Sequence, residues 1–253
     1  MEQQEKPFKI NHLMKKIILT SLLFLAIIFN SFSQQGVTTF GLQYKPIIPV
    51  NFLTVENLEL KEGEYSSTIS QKVGYNFGAV IRWGISKNIS IESGLSYIKR
   101  NYTFDNAIDS SNLKESGSFG MIVFEFPIQG LMYVRLDKRL YMNVATGLSA
   151  NWRASSVGSF SDNKNFSQVS YIRKLNFAYI ANIGFEYRTK KSGYIYLGAS
   201  LTNPFSSLGI IETSYRVNNQ KKQTLRGDLS GNYISVDLRY FFHDSKKKKK
   251  KEK

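Results

Sequence analysis

Seven charged side chains in this 253-residue chain stand where the residues around them alternate between apolar and small polar types: Lys45, Arg82, Glu92, Glu125, Glu186, Asp237 and Arg239. Three cations and four carboxylates in such surroundings can pair into a structural network or line a path for ions or protons. A charge turned towards a low-dielectric interior must be paired or strongly solvated. The sets that carry covalent or metal chemistry are missing. Cysteine is absent, which excludes a disulfide framework, a thiol nucleophile and a cysteine-based metal site. His243 is the only histidine outside the N-terminal segment, and a general base needs hydrogen-bond reach to an oriented nucleophile. Its neighbours Asp244 and Ser245 do not supply that, so it reads as a solvated residue at a strand end. No histidine and carboxylate cluster has metal-ligand spacing. No catalytic residue, cofactor or metal is expected.

What the charges do depends on the elements that carry them, and hydrophobic period identifies those elements. Val73, Tyr75, Phe77, Ala79, Ile81, Trp83 and Ile85 alternate with Gly74, Asn76, Gly78, Arg82 and Gly84, broken only by Val80. The same period of two runs through Ile89 to Tyr97, Leu140 to Trp152, Leu175 to Tyr187 and Ile234 to Phe242, and more weakly through Val37 to Lys45, Phe119 to Val134 and Tyr194 to Thr202. Eight strands result. Their connections are short at Ser86 to Asn88, Arg135 to Arg139 and Thr189 to Gly193, and long at Pro46 to Lys72, Arg100 to Ser118, Arg153 to Arg173 and Asn203 to Gly231. Three turns and four loops are what an outer-membrane barrel with periplasmic termini requires.

The predicted fold is therefore all-β, an eight-stranded antiparallel up-and-down transmembrane barrel. Aromatic residues near the strand ends are placed to form interfacial girdles: Trp83, Tyr187, Tyr240 and Phe242 at the turn end, and Tyr75, Tyr97, Trp152 and Phe177 at the loop end. A soluble β-sandwich or lipocalin would also alternate, but its second face would be charged because it meets water. Here that face is Gly, Ser and Asn with the sparse set Arg82, Glu92, Glu125, Glu186, Asp237 and Arg239. Eight strands enclose about the volume that side chains fill, so the charges are expected to form an ion-pair plug rather than a conducting path.

The N-terminus points to export. Lys15 and Lys16 precede an apolar run from Ile17 to Phe29, and Ser31-Phe32-Ser33 supplies small residues for cleavage near Ser33/Gln34. The run is too short for a spanning helix, which needs about 20 residues. The expected organisation is an N-terminal extension and signal peptide over 1–33, with translation starting at Met14, a barrel over 34–243, and a disordered lysine-rich tail over 244–253. The chain carries a formal charge of +15, six of it from Lys246 to Lys251. A block of like charges is ordinarily solvated, and an exported protein meets little nucleic acid; attraction of the tail to anionic headgroups is the specific alternative.

The segments Gly74-Tyr75-Asn76-Phe77-Gly78, Ile91-Glu92-Ser93-Gly94-Leu95-Ser96-Tyr97, Phe124-Glu125-Phe126-Pro127-Ile128 and Asp237-Leu238-Arg239-Tyr240-Phe241-Phe242 resemble the PorT-type outer-membrane β-barrel family, as does the signal ending Phe32-Ser33-Gln34. The resemblance implies an outer-membrane location and a non-enzymatic barrel and, for some members, a part in secretion or gliding machinery. The aromatic last strand also resembles the signal read by barrel-assembly machinery, although His243 to Lys253 follow it. Pro127 inside a strand should mark a bulge or an unpaired amide.

Binding should live on the long loops. The first carries Glu56, Glu59, Glu62 and Glu64, which could collect divalent cations at the lipopolysaccharide surface or simply be solvated. The third carries Phe160 and Phe166, and the fourth Lys221, Lys222 and Arg226. Two functions are compatible with these features. One is a binding or scaffold barrel in envelope assembly, secretion or surface contact, with outer-membrane lipids, lipopolysaccharide, the assembly machinery and envelope or secretion proteins as partners. The other is a small transport pore.

Overall fold

The computed structural model describes residues 37–49, 57–153, 157–160, 166–172, 174–190, 192–217 and 220–242. The signal peptide, Glu56, His243 and the lysine tail lie outside the described residues. In chain order the strands are β1 (Thr38–Ile48), β2 (Leu58–Glu62), β3 (Tyr65–Gly84), β4 (Ile89–Ile108), β5 (Leu113–Arg135) and β6 (Leu140–Trp152). There follow β7 (Val157–Phe160), β8 (Phe166–Ile172), β9 (Leu175–Arg188), β10 (Tyr194–Pro204), β11 (Gly209–Val217), β12 (Gln220–Leu229) and β13 (Tyr233–Phe241).

Eight of these pair antiparallel in the ring order β1, β3, β4, β5, β6, β9, β10, β13, and β1 closes it by pairing with both β3 and β13. Closure leaves no unpaired edge, the condition for crossing hydrocarbon with strands. Among the described residues no helix is long and apolar enough to cross a membrane. The outward faces carry the apolar residues, among them Phe40, Phe77, Leu148, Ile183 and Leu238, each about half exposed. All eight strands lie where the alternation predicts them.

The loop end departs from expectation. The predicted loop Arg100 to Ser118 is instead a continuation of β4 and β5, a hairpin closed by a 3-10 turn at Asp109–Ser111 with Asn112 in the left-handed region at φ 50°. The predicted loop Pro46 to Lys72 contains the end of β1, all of β2 and the outer half of β3. The fourth loop holds the β11–β12 hairpin, which joins β7 and β8 in a second, four-stranded sheet. At 20, 20 and 23 residues, β3, β4 and β5 are about twice the length a crossing requires.

The excess was hidden because the alternation reverses phase. Up to Tyr97, β4 turns Leu95 and Tyr97 outward and Glu92 and Ser96 inward; beyond it Ile98, Tyr102 and Phe104 face inward while Lys99, Asn101 and Thr103 face outward. Apolar-in and polar-out is the pattern of a sheet in water. In β3 a bulge makes the change, with Lys72 and Val73 both outward and the β3–β4 register shifting between Lys72 and Tyr75. Gly74 sits within this bulge, where a Cβ would collide with the Lys99 carbonyl. Pro127 makes no bulge: β4 pairs on either side of it in the same register, Ser93 with Ile128 and Ser96 with Glu125, and Ser93 Oγ donates to the Pro127 carbonyl at 2.8 Å. Leu131 and Tyr133 consequently face inward.

Two interior layers follow. The membrane-spanning half holds the polar residues, and the loop-end half is closed by an apolar cluster. In it Ile47, Ile69, Ile98, Tyr102, Phe104, Phe119, Met121, Val123 and Tyr233 of the wall pack against Leu208, Ile211 and Leu229 from the chain that folds over them.

Candidate functional site

The short turns hold the turn-end charges in place. Thr189 Oγ1 and the Thr189 amide both donate to the Gly193 carbonyl, whose φ of 89° favours glycine. This sets β9 and β10 so that Glu186 and Tyr196 face the lumen together.

Arg82 on β3 donates to Glu92 Oε2 on β4 through Nε and Nη2, at 3.0 and 2.9 Å, and its Nη1 lies 2.5 Å from Glu186 Oε2 on β9. Arg239 on β13 bonds to Glu92 Oε1 and, at 2.6 Å, to Asp237 Oδ2. Lys45 on β1 pairs with the same Asp237 oxygen at 3.3 Å. Charge-assisted bonds of this kind are the strong class of hydrogen bond. Both arginines also lie over rings, the Arg82 guanidinium 3.8 Å from the Phe241 ring centroid and that of Arg239 4.9 Å from Tyr196.

The charges named from the sequence thus meet, with one exception. Glu125 joins no ion pair among the described residues; it accepts from Asn76 Nδ2 at 3.2 Å. Above the network Gln43 donates to Ser96 Oγ at 2.6 Å, and Asn182 Nδ2 and Ser200 Oγ both donate to Asp237 Oδ2. Tyr196 donates to Asn182 Oδ1 at 2.7 Å and lies over Gly184 and Gly198, where side chains would strike its hydroxyl. These two glycines therefore make room for a ring rather than for water.

Sequence reasoning missed three arginines. Arg188 donates to Glu186 Oε1 at 2.6 Å and stacks 4.0 Å from the Tyr141 ring at the turn-end mouth; its place on the inward face of β9 was the available signal. Arg100 and Arg153 fell in predicted loops but are buried at the outer end of the lumen. Arg100 Nη1 donates to the Gly231 carbonyl at 2.9 Å, tying the wall to the start of β13. Beside it, burial holds the Tyr102 phenol above its usual range, opposed by the Arg100 and Arg153 charges.

Outside the barrel, rings run from strand to strand at the loop end. Successive centroids are 6.4 Å apart for Tyr44–Tyr75, 6.3 Å for Tyr75–Tyr97, 5.9 Å for Tyr97–Phe124 and 5.6 Å for Phe124–Trp152. Trp83, Tyr187, Tyr240 and Phe242 are exposed at the opposite end. Glu59, Glu62 and Glu64 are exposed on the β2–β3 hairpin, and among the described residues no group of three acidic, histidine or cysteine side chains could hold a metal. Arg226 of the fourth loop pairs with Glu212 at 2.8 Å.

A closed ring with an apolar exterior, a paired polar interior and interfacial rings agrees with what comparison of the sequence with protein families finds. The model of the outer membrane protein beta-barrel domain matches residues 32–209, more than half of the chain. The chain belongs to that family. No curated protein matches it. This outer-membrane barrel is similar in fold to OprG of Pseudomonas aeruginosa, at TM-score 0.54 and 10% identity, covering 83% of this chain and 98% of that one. The translocator domain of the autotransporter NalP from Neisseria meningitidis (TM-score 0.38, 8% identity, 90% and 96% covered) is a more distant likeness. So is the outer membrane protease OmpT of Escherichia coli (0.34, 11%, 82% and 94%).

Proposed function

We propose that this outer-membrane barrel is a non-enzymatic binding or scaffold component of the PorT type. In this reading its termini lie in the periplasm after signal-peptide removal, and it serves envelope assembly, secretion or surface contact through its loop end. The observation that carries the reading is the division of the interior into two filled layers. Paired charges cross the membrane-spanning half and an apolar cluster occupies the outer half, which weighs against a transport pore. The material beyond the membrane is instead spent on two sheets, with β12 packed on β2 and β7 on β5. Sheet-built surfaces are pre-organised, and pre-organisation lowers the ordering cost of binding. Short turns at one end and long excursions at the other support an orientation with those sheets outside the cell.

The test is site-specific photo-crosslinking in living cells. A crosslinker at exposed Lys114 or Ser116 should give a discrete adduct to an envelope protein, and one at Lys138 in the turn between β5 and β6 should not. Adducts from the turn alone, together with single-channel steps above noise, would overturn the reading.

A further inference from the structure

On the outer wall a groove of about 790 Å³ opens directly beyond the loop-end aromatic ladder, lined by Lys72, Val73, Lys99, Asn101, Ser118 and Ile122 among others. Lys99 and Ile122 are each two residues outward of the ladder rings Tyr97 and Phe124, a rise of about 7 Å along a strand. Aromatic belts sit at headgroup level, so the groove lies at the phosphate layer of the leaflet that the loop end faces.

Its floor and walls are built for a ligand with both charge and chain. The bulge turns Lys72 outward beside Val73, and Asn101 holds it by donating to the Val73 carbonyl at 2.8 Å. Asn101 pairs with Lys72 and stands two residues from Lys99, so the two lysines are diagonal neighbours about 7–8 Å apart at the backbone. Two ammonium groups on flexible stems at that spacing can reach one phosphate. Gly120 and Ser118 keep the floor low, Val73 and Ile122 give it apolar flanks, and no carboxylate lines it.

We infer that this groove is a binding site for a phosphorylated glycolipid headgroup of the outer leaflet, with Lys72 and Lys99 on the phosphate, Ser118 on a sugar hydroxyl, and Val73 and Ile122 against the first acyl carbons. The inference rests on the orientation given under Proposed function, with the loop end outside.

The experiment uses the full-length barrel folded in detergent and native mass spectrometry with a bisphosphorylated rough lipopolysaccharide. The wild type should retain one lipid. The double variant Lys72→Ala/Lys99→Ala should weaken binding by roughly 10–30-fold, at about 1 kcal/mol per lysine near a charged surface, and Lys87→Ala/Lys138→Ala at the other end should not. Enzymatically dephosphorylated lipid should bind the wild type and the double variant equally weakly, and inorganic phosphate should not compete. Gly120→Phe, which fills the floor without changing charge, should also lose the lipid. A heat-modifiable gel band establishes that each variant is folded. Equal retention by the double variant, or undiminished binding of dephosphorylated lipid, would overturn the site. Labelling of Lys114→Cys in whole cells with a membrane-impermeant thiol reagent tests the orientation separately. If the label fails, the orientation is wrong; if it succeeds while lipid retention is unchanged, the site alone is wrong.

Discussion

Arg82 on β3 and Glu186 on β9 meet at 2.5 Å, and their strands are four places apart in the ring whichever way it is followed. The contact therefore spans the full width of the barrel. Arg239 to Glu92 adds a second cross-lumen link between β13 and β4. Both pairs are buried, so each partner depends on the other for solvation.

Removing one partner should consequently cost more than the pair contributes. Glu186→Ala leaves Arg82 with Glu92 alone and Arg188 without its carboxylate, and is expected to destabilise the barrel by about 3–5 kcal/mol. Urea unfolding in detergent, followed by tryptophan fluorescence, measures it; a loss within error would show that the network does not hold the ring together.

Burial also predicts a weak response to salt. Raising NaCl from low to high concentration should leave the unfolding midpoint nearly unchanged, because screening acts poorly on buried pairs. The exposed Lys61–Asp109 pair, at 3.7 Å, is the contrasting case, and its removal should be almost silent.

Phenylalanines at two heights should differ sharply. Phe104 is 1% exposed in the loop-end cluster, whereas Phe177 is 53% exposed on the lipid face. Phe104→Ala should cost about 3–5 kcal/mol through lost packing and a cavity, with faster protease cleavage of the β11–β12 hairpin. Phe177→Ala should cost less, since lipid is as apolar as the side chain it replaces.

Charge on the lipid face should be tolerated by depth. Leu148 lies in mid-strand on β6 and is 54% exposed, so Leu148→Arg should cost about 2–4 kcal/mol, while Tyr187→Arg near the turn end should cost about 0–1 kcal/mol. Equal costs would mean that these faces do not meet a bilayer.

The alternation located the eight strands because hydrocarbon outside and packed polar groups inside impose one rule on every crossing. Leu140–Trp152 matches its predicted span to the residue. It could not show how far β4 and β5 continue, because above Tyr97 the outside becomes water and the rule reverses; Tyr102 and Phe104 then read as loop. Val80, the lone break in β3, faces inward against Tyr196 and Phe241. The charge set was visible for the same reason as the strands, but its partners were not. Arg82 finds Glu186 across the ring, and Glu125 finds an asparagine rather than a cation. Period gives facing, and only closure of the ring gives distance.

The chain folds as a closed barrel of the outer membrane. Gel mobility of the outer-membrane fraction, unheated against boiled, tests it most directly. A band that runs compact unheated and slower after boiling is the predicted result. A single unshifted band found in the soluble periplasmic or secreted fraction would contradict it, and the lumen network and lipid groove would then belong to a different fold.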